Sequence, residues 1–247
     1  MIDNVPKICI IIPVYNHHQV IQSLVNYIEA LPLPIFLIDD GGDEVCRNVL
    51  QRVSHASSLV SLLVHKNNEG KGRAVANGMR AAFESGFTHA LQIDADGQHS
   101  VEYILTFIEQ CKKYPESVIA GARRYEDMPP SRRYGRKVTD IWVWINTLST
   151  RIKDSMCGYR LYPLAQTVAF LDQYTVRPRM DFDTDILVRL YWFGLDVKHI
   201  DVKVSYGAET SHFNVWKDNY RISKMHARLF FGMLARLPKI LMLNIKG

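Results

Sequence analysis

Apolar residues in this chain fall first into short unbroken runs and then into helical spacing, and the regular exchange of the two predicts alternating strands and helices. Ile8-Cys9-Ile10-Ile11-Ile12 is a continuous run ended by Pro13, which reads as a strand covered on both faces. Val20, Ile21, Leu24, Val25 and Ile28 recur at helical spacing until Pro32 breaks them. Ile35-Phe36-Leu37-Ile38 is a second buried strand closing on Asp39-Asp40-Gly41-Gly42. Asp43 then caps a helix marked by Val45, Val49, Leu50 and Val53, and Leu59 to His65 forms a third strand. A polar, glycine-bearing turn, Asn67 to Arg73, leads into an alanine-rich helix from Ala74 to Glu84, and His89 to Asp94 returns as strand four. Ser100 caps a helix over Val101 to Tyr114, and Val118-Ile119-Ala120 is strand five.

After Gly121 the alternation stops, and Arg123 to Arg133 reads as a long charged loop. A helix from Gly135 to Arg151 carries Val138, Ile141, Trp142, Ile145 and Leu148 on one face, which is expected to pack into the core rather than face lipid. Pro163 opens a short helix, Met180 to Asp185 precedes an amphipathic helix through Phe193, and Val197 to Val204 is a late strand. In the tail, Met225, Leu229, Phe230, Met233, Leu234 and Leu237 alternate with Lys224, Arg228, Arg236 and Lys239. That pattern suits an interfacial helix at anionic lipid, and equally a core-docked or dimerising one.

The chain has 247 residues, of which 47% are hydrophobic, enough for a full core in one large α/β domain or two small ones. Its net charge of +5 invites anionic partners, and the basic residues concentrate between 123 and 160 and between 217 and 239. The four cysteines show no Cys-x-x-Cys spacing, which points away from a zinc site or disulfide framework and towards reduced thiols in the cytosol. Arg236, Pro238 and Lys239 interrupt the apolar stretch Leu229 to Leu243, so it falls short of a membrane span.

Candidate chemistry gathers where the strands end. Asp94 and Asp96 close strand four two residues apart, and in an extended backbone such residues point to one side, so both carboxylates can face one hard cation. Asp-x-Asp by itself also reads as a polar loop after a strand. Ligands of open parallel sheets bind beyond the carboxyl ends of the strands, where Asp39, Asp40, Gly70, Lys71, Asp94 and Asp96 are expected to gather. This acidic edge speaks against nucleic-acid binding by the arginine-rich middle. Nucleotidyl transfer is disfavoured too, because Pro13-Val14-Tyr15-Asn16 is not a glycine-rich first loop.

Five motifs in order carry a resemblance: Pro13-Val14-Tyr15-Asn16, Asp39-Asp40-Gly41, Asn68-Glu69-Gly70-Lys71-Gly72, Asp94-Ala95-Asp96-Gly97-Gln98-His99, and Asp154 to Arg160 in the form D-x-x-C-G-Y-R. Over about Ile8 to Tyr220 the chain resembles the family-2 inverting glycosyltransferases, in their dolichyl/polyprenyl-phosphate sugar transferase branch. The resemblance implies a GT-A fold: an α/β domain with a mostly parallel central sheet flanked by helices. Its Rossmann-like nucleotide half, about residues 1–121, adjoins an acceptor half, about 122–214, and a basic amphipathic tail spans 215–247. By position, Pro13, Tyr15, Asn16, Asp39 and Asp40 are expected near the base and ribose, and Asn68, Gly70 and Lys71 near the diphosphate. Asp94, Ala95 and Asp96 become the diphosphate motif, with Mg2+ or Mn2+ on the two acids.

The implied reaction is transfer of a sugar from a UDP- or GDP-linked donor to a lipid acceptor, a polyprenyl phosphate or glycolipid. A lipid hydroxyl requires a carboxylate base, whereas a lipid phosphate is already an anionic nucleophile. Asp154, Asp183 and Asp185 are the candidates for that base, Asp185 being alternatively an acid that stabilises a helix start. Arg123, Arg133 and Arg160 are candidates to hold a phosphate through forked hydrogen bonds, and His212 to contact the diphosphate or metal. The expected setting is the cytoplasm, peripheral on the inner face of the membrane, with the tail in contact with lipid. A nucleotide- or partner-binding module that kept the fold without the chemistry is the alternative.

Overall fold

The computed structural model describes residues 5–97, 100–124, 126, 128, 130–204 and 215–246. Among them, β1 (Ile8–Val14), β2 (Ile35–Asp39), β3 (Val60–Val64), β4 (His89–Gln92), β5 (Val118–Arg123), β6 (Arg160–Pro163) and β7 (Val197–Val202) form one seven-stranded sheet. The strand order is β3-β2-β1-β4-β6-β5-β7. β1 runs parallel to β2 and β4, β2 to β3, and β5 to β7, while β6 is antiparallel to both its neighbours.

The unbroken apolar runs are covered on both faces. Cys9, Ile11, Ile38, Ala90 and Ala120 turn into one core layer, and Ile8, Ile10, Ile12, Leu37, Leu91 and Ile119 into the other. Successive strand residues alternate faces, so a strand buried on both sides needs an apolar residue at every position. The second layer also contains α1 (His18–Glu29), α2 (Glu44–Ala56) and α4 (Ile104–Lys113). In α2 the Asp43 carboxylate accepts from the Cys46 amide at 2.8 Å, as its capping position predicts. Cys46 takes the inward place there, and Val45 is exposed.

The first layer contains α3 (Lys71–Glu84), α6 (Leu164–Gln173), α7 (Phe182–Phe193) and α8 (Val215–Leu234), with Ile240 of α9 (Leu237–Lys246). α7 is not amphipathic. It packs against α3, α5 (Pro130–Thr147), α6, α8 and α9, and Phe182 through Val188 are all buried, Asp183 and Asp185 included. In the tail, Met225, Leu229 and Met233 dock into the core, whereas Phe231, Leu234, Leu237, Leu241, Met242 and Ile245 are exposed.

Two expectations are corrected here. The end of the charged loop after Arg123 is helix from Pro130 onward, because α5 begins there, and proline suits a first helical turn. The expected core face of that helix points outward: Val138, Ile141, Trp142, Ile145 and Leu148 are 37% to 46% exposed. Its inward stripe holds Arg136, Thr139, Asp140, Val143, Asn146 and Thr147. Charge turns the helix this way. The buried Arg136 guanidinium lies 3.5 Å from Asp140 and 3.6 Å from Asp154, and it donates to the carbonyls of Arg123 and, at 3.2 Å, Lys153.

Candidate active site

The carboxyl ends of β1, β2, β3 and β4 lie along one edge, with Val14 beside Asp39, Asp39 beside Val64, and Ile11 beside Gln92. Lys71 opens α3 at this edge, and its ammonium reaches the end of β4. Nζ lies 2.8 Å from Asp94 Oδ1 and donates at 2.9 Å to Oδ2. It also donates at 2.7 Å to Asp183 Oδ2, in the first turn of α7. Burial alone would drive the Lys71 pKa down, but the charges of Asp183 and Asp94 outweigh it and hold the ammonium more firmly protonated than usual. Gln92, wholly buried, donates to Asp183 Oδ1 at 3.2 Å and accepts from the Tyr162 hydroxyl at 3.5 Å.

The D-x-x-C-G-Y-R segment closes over this pair. A Cβ on Gly158 would stand 2.4 Å from Asp94 Oδ2 and 2.8 Å from Lys71 Nζ, so any side chain here would push the tips of both aside. At its start, Asp154 is fully buried. It accepts from Arg123 Nε at 2.8 Å and Nη2 at 3.1 Å, and from the amides of Arg123, Met156 and Cys157. Burial pushes its carboxyl up, yet Arg123 and Arg136 win and hold it at about 2. The expected base role for Asp154 is therefore corrected: its lone pairs are committed to two guanidiniums and three amides, and a carboxyl so acidic is a poor proton acceptor.

Arg160 is corrected on similar grounds. Its guanidinium is fully buried and donates at 2.5 Å to the carbonyls of Asp183 and Ser155, so it fixes the start of α7 and has no face for a phosphate. Asp185 accepts from Arg189 at 3.1 Å and from the Arg177 amide at 3.4 Å. It steadies the loop before α7, in keeping with its alternative as a helix-start acid. That loop covers the start of α3, because the Pro178 carbonyl accepts from the amides of Gly72 at 2.8 Å and Arg73 at 3.3 Å. The Lys71 side chain, rather than the helix amides, is thus what α3 presents to the edge.

A second acidic group lies at the end of β2. Asp40, 2% exposed, accepts from His65 Nδ1 (2.9 Å), the Glu69 amide (2.9 Å), Asn68 Nδ2 (3.1 Å) and the Gly70 amide (2.8 Å). The Asn77 amide nitrogen donates to His65 Nε2 at 3.0 Å, which leaves Nδ1 to carry the proton shared with Asp40. Asp39 accepts from the Gly42 amide at 2.7 Å and lies 3.5 Å from Arg47. Asn68 also accepts from Arg179 at 2.9 Å, and Asn16, at φ 58, accepts from the Asp43 amide at 2.8 Å. Tyr15 beside them is exposed and Pro13 half-buried. Any contact of Asp39 or Asp40 with a nucleotide is additional to these internal bonds.

Of the remaining expected residues, Ala95 is buried and Asp96 half-buried just beyond Asp94. Arg123 is held by Asp154, and Arg133 is exposed, donating to the Met128 carbonyl at 3.3 Å. His212 lies outside the described residues. Among the described residues, no three His, Cys, Asp or Glu side chains converge as a metal cluster. The donors at Asp94 and Asp96 are nonetheless hard carboxylate oxygens of the type Mg2+ or Mn2+ takes, and a cation, the Lys71 ammonium, already sits against Asp94. The residues fit such an ion. Sequence reading missed Gln92 and Gly158; Gln92 was within reach, because the same two-residue rule that pairs Asp94 with Asp96 puts it on their side.

Residues 9–174 match the sequence model of the family described as Glycosyl transferase family 2. The UDP-N-acetylglucosamine–dolichyl-phosphate N-acetylglucosaminyltransferase of Methanococcus voltae is 26% identical over 81% of this chain and 86% of its own. The dolichyl-phosphate beta-glucosyltransferase of Dictyostelium discoideum is 25% identical over 97% of this chain and 78% of its own. In fold, the chain is similar to a mannosyltransferase from Pyrobaculum calidifontis solved in complex with GDP-Man and Mn2+. The TM-score is 0.61 at 15% identity, over 96% of this chain and 74% of that one. The expected GT-A architecture is met.

Proposed function

This chain belongs to glycosyl transferase family 2, and on that premise we propose that it moves a sugar from a UDP- or GDP-linked donor to a lipid acceptor, a polyprenyl phosphate or glycolipid. The observation that carries the reading is the meeting of Lys71, Asp94 and Asp183 at the carboxyl edge of the sheet. Strand, helix and loop there bring together what displacement at an anomeric carbon needs. The leaving diphosphate requires positive charge, and Lys71 supplies one on a flexible stem. Mg2+ or Mn2+ held by Asp94 and Asp96 would supply further Lewis-acid neutralisation of that leaving group. We assign to Asp183 the proton of a lipid hydroxyl, a role that requires Lys71 to give up the Oδ2 it holds; with a lipid phosphate acceptor Asp183 would only orient Lys71. Asn68 and Gly70 stay near the diphosphate by position, Tyr15 and Pro13 near the base, and Arg123 and Arg133 on the acceptor side, in the half following residue 121.

The dolichyl-phosphate transferases among the relatives support a lipid acceptor. Among the described residues no helix is long and apolar enough to cross a membrane. We place the protein peripherally on the inner membrane face, held by the outward face of α5 and the exposed apolar residues of α9. Lys137, Arg228 and Lys239 are exposed on α5, α8 and α9, Arg236 is exposed in the turn between the last two, and all four suit an anionic leaflet. The test is direct: purified protein, a UDP- or GDP-sugar, Mg2+ or Mn2+ and a polyprenyl phosphate in detergent should yield a lipid-linked sugar. Nucleotide binding without product from any donor and lipid would reassign the chain to a non-catalytic module.

A further inference from the structure

A lysine that served only to meet a diphosphate would extend towards solvent, yet Lys71 turns into the protein. Its ammonium lies within 2.9 Å of both oxygens of Asp94 and 2.7 Å from Asp183, with the side chain 17% exposed. The oxygens that a divalent ion would use are therefore engaged by the chain's own cation. The backbone around that cation is held on two sides. α3 is anchored through Gly72 to the Pro178 carbonyl at 2.8 Å, and the Gly158 backbone lies close against the tips of Asp94 and Lys71. The four-carbon stem of the lysine can swing without disturbing the backbone.

We propose that Lys71 is the resident cation of this site: it ties Asp94 to Asp183 until a nucleoside diphosphate arrives, then releases Asp94 to the divalent ion and turns to the diphosphate. This rests on the donor-site reading given above. With the ammonium in place, a divalent ion must compete for the same oxygens beside a like charge, so metal alone binds weakly. The negative diphosphate reverses that balance by drawing Lys71 away. Metal and nucleotide consequently enter together, and Lys71 acts as a positioning residue for both carboxylates before any chemistry.

The test uses Mn2+ alone, read by electron paramagnetic resonance, on the full chain without nucleotide. Lys71→Met is expected to bind Mn2+ about tenfold or more tighter than wild type, because a like charge at contact distance is gone. Lys71→Arg keeps the charge and is expected to remain near wild type. Should Lys71→Met fold poorly, Lys71→Met/Asp183→Asn removes one of the two facing carboxylates and is expected to bind Mn2+ more tightly than wild type as well. Added UDP or GDP should tighten Mn2+ strongly in wild type and far less in Lys71→Met. Mn2+ binding by Lys71→Met, or by the double variant in its place, that is no tighter than wild type overturns the inference and leaves the donor site standing. Unchanged metal-dependent nucleotide binding in Asp94→Asn would instead remove the donor-site reading, and the inference with it.

Discussion

Two acidic corners sit on the same sheet edge and are satisfied in opposite ways. At the end of β2, Asp40 is bound by two backbone amides, an asparagine and a histidine, all within 3.1 Å and all rigidly attached to the loop it organises. At the end of β4, Asp94 shares one ammonium on a long flexible stem with Asp183. The first set of partners cannot leave without unmaking the loop, whereas the second can leave by rotating side-chain bonds. Sequence alone makes the two corners look alike, since both are aspartates closing an apolar strand. The partners distinguish an acid held by the loop's own backbone from an acid held mainly by a side chain that can swing.

The sharpest way to break that distinction is through stability. Asp40→Ala should cost about 3 kcal/mol or more, because it strands several buried donors at once, and urea unfolding would show it. A loss under about 1 kcal/mol would put Asp40 on the exchangeable side. Asp154 belongs with Asp40, and pH gives its signature. Its folded pKa of about 2 lies below the ordinary carboxyl value, so its contribution is fully present above pH 4 and lost as pH falls towards 2. That contribution is about 2 kcal/mol, and acid unfolding of Asp154→Asn should lack the corresponding drop.

Gly158→Ala probes the exchangeable corner. The atoms its Cβ would meet are the tips of Asp94 and Lys71, which can move, so the fold should keep its melting temperature. Donor affinity should fall about tenfold, the effect of a misplaced contact, as read by calorimetry. The smallest expected effect lies away from both corners. His226 is buried against Trp142 at the junction of α8 and α5, and burial holds its pKa down at about 4. The unfolded chain therefore binds the proton first, and stability falls as pH drops below about 6.5. At pH 5.5 His226→Phe should be spared about 1 kcal/mol of the loss wild type suffers, measured as the difference in urea midpoints at pH 7.5 and 5.5.

How much could be read in advance follows the same physics. β1 and β2 were legible because strands covered on both faces are apolar throughout, and α1 to α4 because they carry clear periodicity; β3 at the sheet edge, the short β4, and β5 followed from the alternation these set up. β6 was not: Arg160-Leu161-Tyr162-Pro163 has a charged residue and a proline in four positions, and only tertiary pairing with β4 and β5 makes it a strand. The orientation of α5 was misread because a buried ion pair, Arg136 with Asp140 and Asp154, overrides its apolar stripe. Asp94, Lys71 and Asp183 were each singled out, but that one lysine joins the two acids depends on its contact with Asp183, 112 residues away in sequence. Gly158 illustrates the same limit, since its need for no side chain comes from atoms that only the fold brings near.

The corner of Lys71, Asp94 and Asp183 is the proposed seat of the nucleotide sugar. Calorimetric titration with UDP- and GDP-sugars, with Mn2+ and with chelator, into wild type and Asp94→Asn tests it most directly. Wild type is expected to bind one nucleotide class in a metal-dependent way, and Asp94→Asn to lose about a hundredfold in affinity with its fold intact. Binding of equal strength by both proteins, or none by wild type under any metal, would contradict it.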